Sequence, residues 1–193
     1  MRTNPSRRLA LSLISTGTFV LAGCLRGSNT DPPTSSTPLT ISEVRVTSTN
    51  NSSSPLELSV EILDDTITQN TPGQLRFVLS NTGSEQITVQ SGPIPPFGPL
   101  QANSSENKGF YLWNDEYENS SHVQIDDTSI SVAAVQFDMQ IPAGSSRSRE
   151  YTILYDTASP GEYAIAPIVD ARQGGINVDN VEYRVQLVLS TSL

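Results

Sequence analysis

The chain of 193 residues holds one cysteine, Cys24, one histidine, His122, and one tryptophan, Trp113. Chemistry that needs a cluster of such side chains therefore has little to work with. A zinc site takes several Cys, His or carboxylate ligands, and His122 has no second histidine to join it; it reads as structural. A hydrolase triad needs its serine on a sharp elbow, and the sequence contains no G-x-S-x-G. Phosphate-binding glycine loops, dinucleotide fingerprints and the D-x-[DN]-x-[DN]-G calcium loop do not occur either. Paired carboxylates could in principle run glycoside hydrolysis, and acidic clusters stand at Asp64-Asp65, Asp115-Glu116 and Asp126-Asp127. A small, loop-poor domain gives such a pair little room for a cleft, so these pairs read as solvated surface. The expectation is no enzyme, no cofactor and no bound metal.

What chemistry remains is covalent and belongs to Cys24. Arg2, Arg7 and Arg8 precede a mostly apolar stretch, Leu9 to Ala22. As a helix that stretch would rise only about 21 Å, short of a hydrocarbon core of roughly 30 Å. The pattern is that of a signal peptide. "LAGC", at Leu21 to Cys24, resembles the lipobox of bacterial and archaeal lipoproteins. That resemblance implies cleavage before Cys24, a lipid on its sulfur, and a membrane-anchored protein facing the outside of the cell. "SRRLAL" resembles a twin-arginine export signal through Arg7 and Arg8, with Ala10 where that family usually has Phe. The organisation expected is a leader over 1–23, a lipidated Cys24 with a Ser/Thr/Pro-rich linker over 24–40, and a folded domain over 41–193. The linker, "LRGSNTDPPTSSTPLT", buries little and could reach roughly 50 Å when extended. With Cys24 lipidated no disulfide is available, so the domain must be held by its core alone.

Binding chemistry concentrates in "SGPIPPFGPLQANSSENKGFYLWNDEYENSSHV", residues 91–123. Pro93, Pro95, Pro96 and Pro99 lack a backbone donor and predict a stiff loop rather than a central strand. Phe97, Phe110, Tyr111, Trp113 and Tyr117 follow closely, in a chain that is only 6% aromatic. They form a candidate patch for a protein or carbohydrate partner; the alternative is a loop packed over one end of the domain, with Trp113 in the core. Asn50, Asn51, Asn103 and Asn119 begin N-x-[ST] sequons and are candidate glycan acceptors.

The charge narrows the partners. Eleven basic residues against 20 acidic ones give −9; removing Arg2, Arg7 and Arg8 leaves 8 against 20, or −12. Such a surface excludes nucleic acid, whose phosphates need a basic footprint. Lys108 is the only lysine. Acidic bias with arginine in place of lysine resembles proteins of halophilic archaea, where molar salt shortens the Debye length to about 3 Å and mutes self-repulsion.

The elements that must position these residues read as strands. Alternation of period two runs through "LELSVEI" (56–62), "QLRFVLS" (74–80), "EYTILY" (150–155) and "VEYRVQLVL" (181–189). Shorter candidates are 41–46, 86–90, 110–113 and 122–125. Between "ISV" and "VQFDMQI" the alternation slips at Ala133-Ala134, which predicts a β-bulge. Turn residues punctuate the strands at 71–73, 81–83, 142–144, 159–161 and 173–175. No amphipathic helix longer than a turn or two is present, and the fold class expected is an all-β antiparallel sandwich.

Two stretches resemble prokaryotic immunoglobulin-like domains. "QLRFVLSNTGSEQITVQ" (74–90) looks like their passage from strand B to strand C, and "IPAGSSRSREYTILYDTASPGEYAI" (141–165) like that from E to F. The resemblance puts Tyr163 at the tyrosine corner, ring inward and hydroxyl on upstream backbone, with Ile165 where antibody domains keep a cysteine. The whole chain resembles small immunoglobulin-like lipoproteins of haloarchaea, and more distantly the immunoglobulin-like domain of the bacterial intracellular proteinase-inhibitor family. What this implies is a lipid-anchored extracellular module with a binding or structural role at the envelope. The alternatives are a protease inhibitor presenting loop 91–100 and an accessory ligand-binding subunit of a transporter.

Overall fold

Leu75, Phe77 and Leu79 occupy every second position of "GQLRFVLSN" and are fully buried, while the residues between them face outward or are half-buried. The same alternation buries Val181, Tyr183, Val185, Leu187 and Leu189. Period-two side chains alternate between the two faces of a strand, so these segments could only be strands with one face on a core. The structure is a computed structural model that describes residues 37–48, 54–126, 129–169, 175–178 and 181–192. Arg7, Arg8, Cys24, Asn50 and Asn51, the leader and most of the linker lie outside them.

The first strands are β1 (Leu39–Ser48), β2 (Leu56–Asp64), β3 (Thr66–Ile67), β4 (Gly73–Asn81), β5 (Ile87–Ser91), β6 (Leu100–Asn103) and β7 (Phe110–Leu112). After a single helical turn, α1 (Glu116–Asn119), come β8 (Val123–Asp126), β9 (Ser129–Val132), β10 (Phe137–Ile141) and β11 (Ser146–Ile153). A 3-10 turn (Tyr155–Thr157) leads to β12 (Gly161–Pro167), β13 (Ile176–Val178) and β14 (Val181–Thr191). Every strand pairing among the described residues is antiparallel. One sheet runs β3-β1-β14-β12-β6-β7, with β13 also on β14; the others are β11-β4-β2, β10-β5 and the β8–β9 hairpin. The apolar faces of the first two sheets share one buried cluster, from Leu39 to Leu189. The fold is an all-β antiparallel sandwich.

The turns predicted at 81–83 and 142–144 meet at one corner. The buried Asn81 side chain donates to the carbonyls of Glu85 (2.7 Å) and Ile141 (3.0 Å), and its amide donates to Ser145 at 2.9 Å. That corner steers β4–β11 into the separate pair β5–β10. Tyr163 is buried, and its hydroxyl donates to the Ser159 carbonyl at 2.9 Å, as the tyrosine-corner resemblance implies.

Several expectations need correction. Leu39 and Thr40, expected in the linker over 24–40, belong to β1: Leu39 is buried, and the two pair with Ile67 and Thr66. The slip at Ala133-Ala134 is a break rather than a bulge: β9 pairs with β8, whereas β10 pairs with β5, so the chain changes partner between them. "LELSVEI" buries only Leu56 and Leu58; beyond them Ile62 is exposed, since β2 is an edge strand. The strand that follows Asn81, β5, does not lie beside the Tyr163 strand. That place belongs to β6.

Candidate functional site

The proline-rich loop folds down onto the domain. Phe97 is 3% exposed, with its ring 5.6 Å from that of Phe77. Two side chains of β11 pin the backbone. Arg149 donates from Nε (3.0 Å) and Nη2 (2.6 Å) to the Pro95 carbonyl, and the Tyr151 hydroxyl donates to that of Gly98 at 2.7 Å. Arg149 also pairs with Glu116 of α1 at 2.5 Å. Ile94 sits at φ 63°, a conformation that costs a β-branched residue about 1–3 kcal/mol. The Gly98 amide, donating to the Ile94 carbonyl at 2.9 Å, helps hold it there. The peptide between Pro95 and Pro96 is cis.

The five aromatics are therefore divided, not gathered in one patch. Phe110 is 4% exposed and edge-on to Tyr163 at 4.9 Å. Tyr117 is 1% exposed; its hydroxyl accepts from the Leu100 amide (3.3 Å) and donates to the Leu112 carbonyl (3.0 Å). Phe97, Phe110 and Tyr117 belong to the core. The reason is strand alternation: Phe110 and Leu112 of β7 point inward, which turns Tyr111 and Trp113 outward, where both are half-buried. Trp113 lies edge-on to Tyr117 at 5.7 Å, and its indole N–H donates to Asp115 at 3.3 Å.

Tyr111 and Trp113 line a groove of about 520 Å³. Gln101 and Asn103 of β6 share its lining, with Ile125, Asp126, Ser129 and Ile130 of the β8–β9 hairpin and Leu154, Asp156 and Thr157 around the 3-10 turn. Lys108 and Gly109 complete it. Gly109 permits the close approach of β6 and β7, since a Cβ there would stand 2.6 Å from the Ala102 carbonyl oxygen. Ile125 is 38% and Leu154 41% exposed, apolar area left wet beside two aromatic faces. The lining thus mixes aromatic and aliphatic faces with amide and carboxylate groups, a combination that can hold and orient a ligand. Ile125, Leu154, Asp126 and Asp156 could not be assigned to it from sequence, because they reach it from elements far apart in the chain.

Burial, above all, pushes the Tyr151 phenol well above its ordinary value of 10.0 and raises that of Tyr117 in the same way; Arg149 opposes both. Both phenols stay neutral donors at any physiological pH. His122 is half-buried, its ring 5.5 Å from that of Phe137. Among the described residues, no group of three His, Cys, Asp or Glu could hold a metal ion, and no helix is long and apolar enough to cross a membrane. Asn119 ends α1 exposed, whereas Asn103 is half-buried and lines the groove, so a glycan on Asn103 would occupy it. A second groove, of about 560 Å³, runs between Pro93–Pro99, residues 132–136 and Val169.

No curated protein and no solved structure matches the chain. A family model described as "Domain of unknown function (DUF8130)" matches residues 6–192. The match covers nearly the whole sequence, and the chain belongs to that family.

Proposed function

We propose that the protein is an exported, lipid-anchored immunoglobulin-like module that binds a partner at the cell envelope through the groove over Tyr111 and Trp113. The observation that carries the binding reading is that groove: exposed Ile125 and Leu154 flank two outward-turned aromatics on a molecule whose other large apolar side chains are mostly buried. Small domains tend to bury such area or use it. The immunoglobulin-like reading draws support from the β2-β4-β11 sheet, the β14-β12-β6 run and the Tyr163 corner, which correspond to strands A-B-E and G-F-C. The anchor and the outward-facing address rest on Cys24 and the residues before it, and the haloarchaeal setting rests on composition.

The inhibitor alternative gains no support. A loop that enters a protease must project its side chains, and Ile94, Phe97 and most of loop 91–100 are buried and tied down by Arg149 and Tyr151. The test of the binding reading uses Trp113, the sole tryptophan, as reporter. Titrating the full chain with envelope oligosaccharides and with short peptides should shift or quench its emission for one class. An emission that no member of either class changes contradicts a recognition role for the groove.

A further inference from the structure

The main chain of β7 decides what the groove can hold. Trp113 exchanges two hydrogen bonds with Thr152 of β11, N–H to O in both directions at 2.8 Å. Successive strand residues turn their main-chain groups to opposite edges, so Leu112 addresses β6 and Tyr111 addresses the same side as Trp113. The Tyr117 hydroxyl, set between the Leu100 amide and the Leu112 carbonyl, fixes that polarity independently. Yet β11 ends at Ile153, and the chain turns away through Leu154 into the 3-10 turn. The bridge at Trp113 is isolated. Among the described residues, no backbone bond of a turn or loop reaches the amide or carbonyl of Tyr111. One donor and one acceptor of an edge strand thus open into the groove where a further strand would pair.

We propose that the groove takes an extended peptide segment of a partner protein, added as a strand to the open edge of β7 at Tyr111, with a cationic side chain beside Asp126 and Asp156. The inference rests on the groove being the recognition site and names its occupant. Edge pairing supplies main-chain hydrogen bonds, and alternate side chains supply specificity. An open strand edge selects a peptide over a sugar, because its donor and acceptor repeat the spacing of another backbone. The charge selects a basic peptide. Asp126 and Asp156 are exposed in the groove against the single ammonium of Lys108, on a chain of net charge −9. Ile125 and Leu154 then offer apolar contact to the residues between the cations.

The full chain is titrated, with Trp113 emission as readout, using acetyl-Lys-Val-Lys-Val-Lys-amide. The comparison probes are the same peptide N-methylated at all five residues, its Glu-for-Lys counterpart, and neutral hexose oligosaccharides. The Lys–Val peptide is expected to bind at least tenfold more tightly than either altered peptide. Two variants locate the bond. Tyr111→Ala and Tyr111→Pro both lose the ring, but only the second loses the edge N–H, and proline is tolerated on an edge whose N–H faces away from the sheet. Tyr111→Pro should weaken binding at least fivefold beyond Tyr111→Ala. Equal binding of the N-methylated peptide to the unaltered protein overturns the proposal, whatever the variants do. Binding of the oligosaccharides alone overturns it while keeping the groove as a recognition site. Silence from every probe overturns both.

Discussion

Two buried phenols hold the walls of the two grooves through one carbonyl each: Tyr117 holds β7, beside the groove over Tyr111 and Trp113, through Leu112, and Tyr151 holds the proline-rich loop, beside the second groove, through Gly98. Tyr151→Phe keeps the ring against Phe77, 5.3 Å away, and leaves the Gly98 carbonyl without its donor. The expected loss is about 1–3 kcal/mol, read as a fall in Tm of roughly 2–4 °C for each kcal/mol. The pH dependence follows from the direction of the shifts. Burial raises both phenols above their ordinary 10.0, so the unfolded chain releases these protons first. The stability tied to them is complete below about pH 10 and declines as pH climbs from there toward the folded values. Alkaline unfolding followed by circular dichroism should therefore begin near pH 10, and Tyr151→Phe should shallow it. An unchanged alkaline slope in the variant would contradict the assignment. At this scale the sequence was partly readable. Tyr163 could be placed through the resemblance of "PGEY" to the entry of an immunoglobulin-like strand F, a motif contained in a few adjacent residues. Phe97 and Tyr117 could not, since a cluster of aromatics has the same composition whether it plugs a core or coats a surface.

Arg149 joins three elements: β11, which carries it, the loop 92–99 through the Pro95 carbonyl, and α1 through Glu116. Its two bonds to one oxygen need the guanidinium fork, which an ammonium does not offer. Arg149→Lys is expected to keep the fold and to loosen the loop. Hydrogen exchange at the Gly98 amide, which is bonded to Ile94, should speed up at least tenfold, while the amides of β4 stay as protected as before. Equal protection at Gly98 in both proteins would show that the loop is held by its apolar contacts alone. Most strands were legible as elements because alternation and turn residues are local signals. Their partners were not. That β5 pairs with β10, that β6 takes the place beside β12, and that the alternation at Ala133 marks a change of sheet all depend on contacts distant in sequence.

The whole molecule carries −9 with a single lysine, and its described ion pairs are exposed at one partner or both, Arg76 between Glu61 and Glu150 among them. Such pairs contribute little singly, so repulsion between carboxylates should dominate, and salt should relieve it. Tm is expected to rise between about 0.1 and 3 M salt, with most of the gain while the Debye length shrinks from about 10 Å to 3 Å; a flat profile would remove the halophilic reading. The anchor is a separate claim. Cys24→Ser should release the protein from the membrane fraction without changing the Tm of the domain, and a variant that stays with the membrane would contradict lipid attachment. The groove itself was only half legible: Tyr111 and Trp113 stood out, but their neighbours Ile125 and Leu154 meet them only once the hairpin and the 3-10 turn close in. Binding at this place is the centre of the account, and amide chemical-shift mapping of the isotope-labelled full chain with the Lys–Val peptide tests it most directly. The account predicts shifts centred on the groove lining, at 101–103, 108–113, 125–130 and 154–157. Shifts centred instead on the second groove, at Pro93–Pro99 and Val169, would contradict it.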